Sequence, residues 1–176
     1  MKTEYLFCEW TDLVDEGGRG RIRVREQIKI GEDVWRNFEG LTRVELFSSC
    51  FKPASMKIEG EKAVGIMAEN RRGENFFFAL FEDVATGEEL VVRVWLEGSY
   101  TTQHFIPEDE GRCLYKSNFA WLGPHLQRIS FPQGYEILSV KPEGGEVGTY
   151  RGRPMVVWRR QGEFWGGIEV RLRRER

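Results

Sequence analysis

The 176-residue sequence has few of the residues on which enzyme chemistry most often depends. It contains two histidines, His104 and His125, and three cysteines, and none of them forms a His-Glu-x-x-His, His-x-His or Cys-x-x-Cys motif. These are spacings at which metal and redox sites are commonly recognised. Serine-hydrolase elbows and glycine loops for phosphate or dinucleotides are also absent. We therefore predict no catalytic residue, no bound metal and no cofactor.

One catalytic alternative stays open. Catalytic groups are brought together by folding rather than by sequence spacing. His104 and His125 are separated by a stretch that contains three consecutive acidic residues, Glu108, Asp109 and Glu110. A hydrolase that uses the two histidines is therefore an alternative to a protein without enzymatic activity.

Long hydrophobic runs are missing as well. The longest apolar run covers the six residues 76–81, whereas a membrane-spanning helix needs about 20. Glu4 and Glu9 interrupt the region where a secretory signal needs a continuous apolar stretch. An odd number of cysteines argues against a secreted disulfide framework and favours buried free thiols. We expect a cytoplasmic protein without membrane contact, and the scarcity of Asn and Gln beside many Arg and Glu favours a thermophilic source.

The charge is nearly balanced overall but uneven along the chain. The net charge is −2, while residues 128–176 carry ten basic and six acidic side chains. Arg171 and Arg173 alternate with apolar residues, which is typical of a solvated edge strand that avoids aggregation. We therefore do not expect a nucleic acid partner. The expected partner is another protein or a second copy of the chain.

Apolar and polar residues alternate along several segments. Ile22, Val24, Ile28 and Ile30 share one face of a segment in which only Glu26 breaks the pattern. The same period of two recurs over residues 90–96 and 168–172 and is the signature of half-buried strands. Turn residues separate these segments. A helical spacing occurs only over residues 34–41, so we predict an all-β antiparallel β-sandwich with, at most, one short helix there.

The second half of the sequence repeats the order of features in the first. Residues 43–63 and 128–147 both read as strand, proline-containing corner, strand and glycine turn, and residues 71–98 resemble residues 150–175 in the same way. Self-similarity of this kind indicates an internal duplication. We predict two tandem sandwich units, 1–98 and 99–176, with the strand number and turn spacing of immunoglobulin-like domains.

Aromatic residues make up 13% of the chain, and most of them are expected to fill the space between sheets. Two groups are candidates for binding. Phe164 and Trp165 are flanked by glycines that permit close approach of a ligand, and Tyr115, Trp121 and His125 form the second group. Exposed rings of this kind could also stack on a carbohydrate.

These features predict a non-enzymatic interaction module, with another protein as the ligand that it recognises. A β-barrel that holds a small hydrophobic ligand is a second alternative, because a barrel strand shows the same alternation as a sandwich strand. The apparent duplication disfavours it, since a single meander of strands would not restart halfway.

Overall fold

The computed structural model describes residues 1–37, 39–100 and 105–176. Within these residues the regular structure consists of fifteen strands and two 3₁₀ turns, Glu16–Gly18 and Asp109–Gly111. The strands are β1 (Glu4–Val14), β2 (Arg19–Lys29), β3 (Trp35–Arg36), β4 (Leu41–Ser49), β5 (Lys52–Gly60), β6 (Ala63–Arg71), β7 (Glu74–Glu82), β8 (Glu89–Ser99), β9 (Phe105–Pro107), β10 (Arg112–Trp121), β11 (His125–Ser130), β12 (Tyr135–Lys141), β13 (Glu146–Tyr150), β14 (Arg153–Arg160) and β15 (Phe164–Arg174).

The strands form two sheets that pack face to face. The seven-stranded sheet has the order β13-β14-β11-β1-β2-β8-β5, and the eight-stranded sheet has the order β12-β15-β10-β4-β7-β6, with β3 beside β4 and β9 beside β10. Among the described strand pairs only β1 and β11 run parallel. This architecture confirms the predicted all-β, mainly antiparallel sandwich. The β-barrel alternative is wrong, because each sheet ends in edge strands that do not close on one another.

The alternating residues form the core, as predicted. Ile22, Ile28 and Val92 are fully buried, as are Ile168, Val170 and Leu172 of β15. Glu26 follows the same inward direction and is only 2% exposed, so this carboxyl group lies in the core. Trp10, on the central strand β1, touches rings from both halves of the chain: Phe47 on β4 and Trp121 on β10.

The connectivity of the first half recurs in the second. β2 pairs with β8 and β8 with β5, while β10 pairs with β15 and β15 with β12. Likewise β4-β7-β6 corresponds to β11-β14-β13, and each strand lies in the sheet opposite to that of its counterpart. A 3₁₀ turn precedes both β2 and β10. This repetition supports the predicted duplication, although an evolutionary origin by duplication stays a prediction.

Both sheets contain strands from before and after residue 98. The pair β1–β11 joins the halves in one sheet, and the shorter pair β4–β10 joins them in the other. The division into units 1–98 and 99–176 therefore remains a prediction. The similarity of these units to immunoglobulin domains also remains a prediction.

The predicted helical segment is not a helix. Trp35 and Arg36 form a short strand that pairs with Arg43 and Thr42, and β4 begins at Leu41. Pairing with β4 satisfies backbone hydrogen-bonding groups of this segment. A helix of two turns would be less stable, because short helices are marginal without strong packing. Phe38, part of the predicted stripe, lies outside the described residues. None of the described residues belongs to a helix long and apolar enough to cross a membrane.

Candidate functional site

Three of the five predicted binding residues meet at one end of the sandwich. Trp121 ends β10, Phe164 begins β15, and the two residues are cross-strand neighbours. His125 begins β11, and its ring stacks on that of Trp121 with 5.0 Å between the centroids. The centroid of Phe164 lies 6.5 Å from that of His125. The structure therefore brings residues from both predicted groups together.

Arg160, the last residue of β14, completes this group. Its Nη1 atom lies 3.1 Å from Nε2 of His125 and 3.0 Å from Oε1 of Gln127. The guanidinium carbon is 3.9 Å from the ring centroid of Phe164, which is a close cation–π contact. We call Trp121, His125, Gln127, Arg160 and Phe164 the His125–Arg160 cluster.

The hydrogen bonds of the cluster fix His125 in its neutral form. Nδ1 lies 2.9 Å from the carbonyl oxygen of Gly123 and donates to it, which leaves Nε2 to accept from Arg160. Burial lowers the pKa of His125 to about 4, and the charge of Arg160 acts in the same direction. Burial also lowers the pKa of Arg160, to about 10.

The cluster is rich in donors without acceptors. Buried nitrogen atoms of Trp121, Gln127 and Arg160 have no hydrogen-bond partner among the described residues. Each such group is costly to bury unpaired. Among the described residues, Arg160 contacts neutral oxygen and nitrogen atoms and aromatic rings. The group therefore has the chemistry to receive an acceptor that carries negative charge.

The other two predicted binding residues lie elsewhere. Trp165 is 62% exposed on the outer face of the eight-stranded sheet, because neighbouring residues of a strand point in opposite directions. Tyr115 is fully buried, and its hydroxyl lies 3.3 Å from Oδ2 of Asp12. The hydroxyl of Tyr100 donates to the same carboxylate oxygen. His104 lies outside the described residues.

Asp12 and Arg160 are polar residues that the sequence reading did not single out. Burial raises the pKa of Asp12 to about 7, and the hydrogen bonds from the two tyrosines oppose that rise. The position of both residues along their strands could have identified them. Asp12 faces the same side of its strand as Trp10 and Val14, and Arg160 faces the same side as Trp158. A polar residue at an inward position of an alternating strand is a candidate for a buried polar role.

The chain resembles solved structures only in its fold. No family model and no curated protein matches it. An M1 zinc metallopeptidase from Deinococcus radiodurans matches with a TM-score of 0.52 and 7% identity over 96% of this chain and 42% of that one. A variant of that enzyme bound to a Tyr-Ser-Ala substrate has a TM-score of 0.53. Native yeast LTA4 hydrolase has a TM-score of 0.50 and 10% identity over 97% of this chain and 29% of that one.

These similarities overturn the predicted function. The sequence was expected to encode a non-enzymatic module that recognises another protein. This prediction is wrong, because the solved structures that match nearly the whole chain include a zinc metallopeptidase and LTA4 hydrolase. The chain spans less than half the length of each of them. The similarity therefore establishes a β-sandwich that also occurs as a part of larger hydrolytic enzymes.

Proposed function

We propose that this chain is the β-sandwich domain of a zinc metallopeptidase, and that it binds peptide substrate while the metal is held by residues outside this sequence. The observation that carries the proposal is the fold match to the Deinococcus peptidase over 96% of the chain. The same peptidase fold has been solved with a Tyr-Ser-Ala substrate.

The described residues of this chain do not fit a zinc ion. Both ring nitrogens of His125 are engaged, one by the carbonyl of Gly123 and one by the cationic Arg160, which would repel a metal. The three cysteines are buried free thiols. No group of three or more His, Cys, Asp or Glu side chains among the described residues is placed to hold a metal. We therefore derive no step of the reaction through zinc in this chain.

The His125–Arg160 cluster suits the terminal carboxylate of a short peptide. Arg160 has an unpaired Nη2 atom and no carboxylate partner among the described residues. Guanidinium groups bind carboxylates through two parallel hydrogen bonds. Arg160 and Phe164 are partly exposed, whereas Trp121 and His125 are buried. A peptide would therefore approach from the side of Arg160 and Phe164 and displace the ring of Phe164 from the guanidinium.

Binding of Tyr-Ser-Ala, followed by two-dimensional NMR of the full chain, tests the proposal. We expect chemical-shift changes at His125 and Phe164, weaker binding of the peptide with a C-terminal amide, and a loss of about tenfold in affinity for Arg160→Gln, as for a charge-assisted hydrogen bond. Arg159→Gln is the matched control, because Arg159 is the preceding residue, is exposed, and points to the outer face.

Three results would contradict the proposal. These are no binding of Tyr-Ser-Ala at millimolar concentration, equal binding of the acid and amide peptides, and equal effects of the two arginine variants. Zinc-dependent cleavage of the peptide by this chain alone would contradict the proposal that this chain binds the substrate and that residues outside it hold the metal.

The free thiols further support a reducing, cytoplasmic location.

A further inference from the structure

The outer face of the seven-stranded sheet carries a group of arginines without ion pairs. Arg23 and Arg25 lie on β2, Arg93 lies beside them on β8, and Arg128 lies two strands away on β11. No carboxylate oxygen of the described residues comes within 4.0 Å of their side-chain nitrogens. We call these four residues the arginine face.

The arrangement is unfavourable for the fold itself. Arg25 is directly opposite Arg93 in the antiparallel pair β2–β8, and like charges at directly opposed positions destabilise a sheet. Arginines on the other sheet are paired instead: Arg171 lies 3.1 Å from Glu108 and Arg173 lies 2.6 Å from Glu136. The four residues of the arginine face differ from these two arginines in having no ion pair among the described residues.

Few acidic residues border the arginine face. Glu9 is the cross-strand neighbour of Arg25, and Glu59 is that of Arg93. The carboxylate of Glu59 is already 2.6 Å from the ammonium group of Lys57. A shallow depression between the strands is lined by Glu9, Thr11, Arg23, Arg25, Arg93 and Trp95. Glu9 and Glu59 thus border four guanidinium groups, and Glu59 is already paired with Lys57, so the arginine face carries an excess of positive charge that would favour an anionic ligand.

The geometry favours a peptide over a nucleic acid. Arg23 and Arg25 are two residues apart on one strand, so their side chains are spaced by about 7 Å, and an extended peptide with acidic residues at alternate positions has the same spacing. Binding of single-stranded nucleic acid usually needs free aromatic faces for the bases. The face of Trp95 is covered by the ammonium group of Lys57, 5.2 Å from the ring centroid.

We propose that the arginine face binds an extended acidic peptide segment with carboxylates on alternate residues. The proposal goes beyond the proposed function and does not rest on it, because it concerns the outer face of the sheet rather than the His125–Arg160 cluster. Each carboxylate would accept two hydrogen bonds from one arginine fork. The ligand would also relieve the repulsion between Arg25 and Arg93.

Fluorescence anisotropy with a labelled (Glu-Ser)₄ peptide at about 0.15 M salt, where distant surface charges are screened, tests this inference. We expect the double variant Arg25→Gln/Arg93→Gln to bind at least about tenfold more weakly than the unchanged chain. The matched control is Arg171→Gln/Arg173→Gln, which removes the same charge from paired arginines of the other sheet. It should change the affinity by less than about twofold, as expected for screened surface charges.

Equal losses in the two double variants would overturn the proposal, because they would reveal attraction to net charge alone. Tighter binding of an oligothymidylate of equal charge would overturn it in favour of nucleic acid, and no binding of (Glu-Ser)₄ would overturn it outright. Circular dichroism confirms that each variant is folded before the comparison. Arg25→Gln/Arg93→Gln should leave Tyr-Ser-Ala binding unchanged, so this proposal and the proposed function can fail separately.

Discussion

Arg160 donates a hydrogen bond from Nη1 to Nε2 of His125 over 3.1 Å. Strands β11 and β14 place the two residues at directly paired positions. The contact requires a neutral imidazole, because a protonated ring would set two cations against each other in a buried site. The His125–Arg160 cluster therefore links the protonation of one side chain to the stability of the whole sandwich.

Acid should weaken the fold through His125. Burial lowers the pKa of this side chain to about 4, below the value near 6.5 of an unfolded chain. The stabilisation is present above about pH 6.5 and is lost as the pH falls towards 4. Urea unfolding should show that the native chain loses roughly 2 kcal/mol more than His125→Gln between pH 6.5 and 4.5. Parallel losses in the two proteins would contradict this.

Asp12 should act in the opposite direction. Burial raises its pKa to about 7, so the folded chain keeps this proton at pH values where the unfolded chain has released it. The stabilisation is present below about pH 4 and is lost as the pH rises through 7. Compared with Asp12→Asn, the native chain should lose roughly 3 kcal/mol between pH 4 and 7.

Asp109→Asn is the control for this comparison, since Asp109 is an exposed residue of a 3₁₀ turn. The free energy of unfolding of the Asp109→Asn variant should change with pH in the same way as that of the native chain. A native chain whose curve is parallel to that of Asp12→Asn would show that Asp12 is ionised in the fold.

Gly98→Ala should be strongly destabilising. A methyl group at Gly98 would lie 2.1 Å from the carbonyl oxygen of Lys52, where β8 meets β5. Since a backbone atom cannot move aside cheaply, we expect a loss of about 3 kcal/mol, at the upper end for overpacking. Gly148→Ala is the control, because nothing lies within 4 Å of its added methyl group. Thermal unfolding of both variants measures the difference, and equal melting temperatures would refute the prediction.

The whole chain should unfold in one transition. Trp10 contacts Phe47 in the first half and Trp121 in the second, and Trp10→Leu should remove about 3 kcal/mol of stability from both halves together. Circular dichroism and tryptophan fluorescence should give coincident curves for the native chain. Two separated transitions would instead support independent units 1–98 and 99–176.

The sequence was a good guide to the strands because burial alternates along them. Ile22, Val24 and Ile28 point inward as their spacing predicts, and the matching order of strands in the two halves was visible as repeated turns. Sequence spacing could not show that the halves share both sheets, since β1 meets β11 only through tertiary pairing. It also misjudged residues 34–41, where pairing with β4 outweighed a helical spacing.

The candidate site was only partly predictable. Aromatic and glycine residues pointed to Trp121, His125 and Phe164, which do lie together. Tyr115 was grouped with Trp121 because the two residues point to the same side of β10. Alternation along a strand shows which side a residue faces, but it does not show which residues lie near the end of the sheet. Arg160 was not singled out because nothing in the sequence shows that it lies beside His125 on the neighbouring strand. The similarity of fold to the Deinococcus peptidase lies in the path of the backbone, and at 7% identity the residues of one sequence do not reveal it.

The parallel pairing of β1 with β11 has a consequence for synthesis on the ribosome. β1 can form a hairpin with β2 early, but its other edge meets no strand until residues 125–130 have left the exit tunnel. Until β11 has been synthesised, the nascent chain therefore presents an unpaired strand edge, which is the kind of edge that pairs with other chains. The sheet can close only after β11 has been synthesised, and a chaperone that covers β1 until then would raise the yield of folded protein.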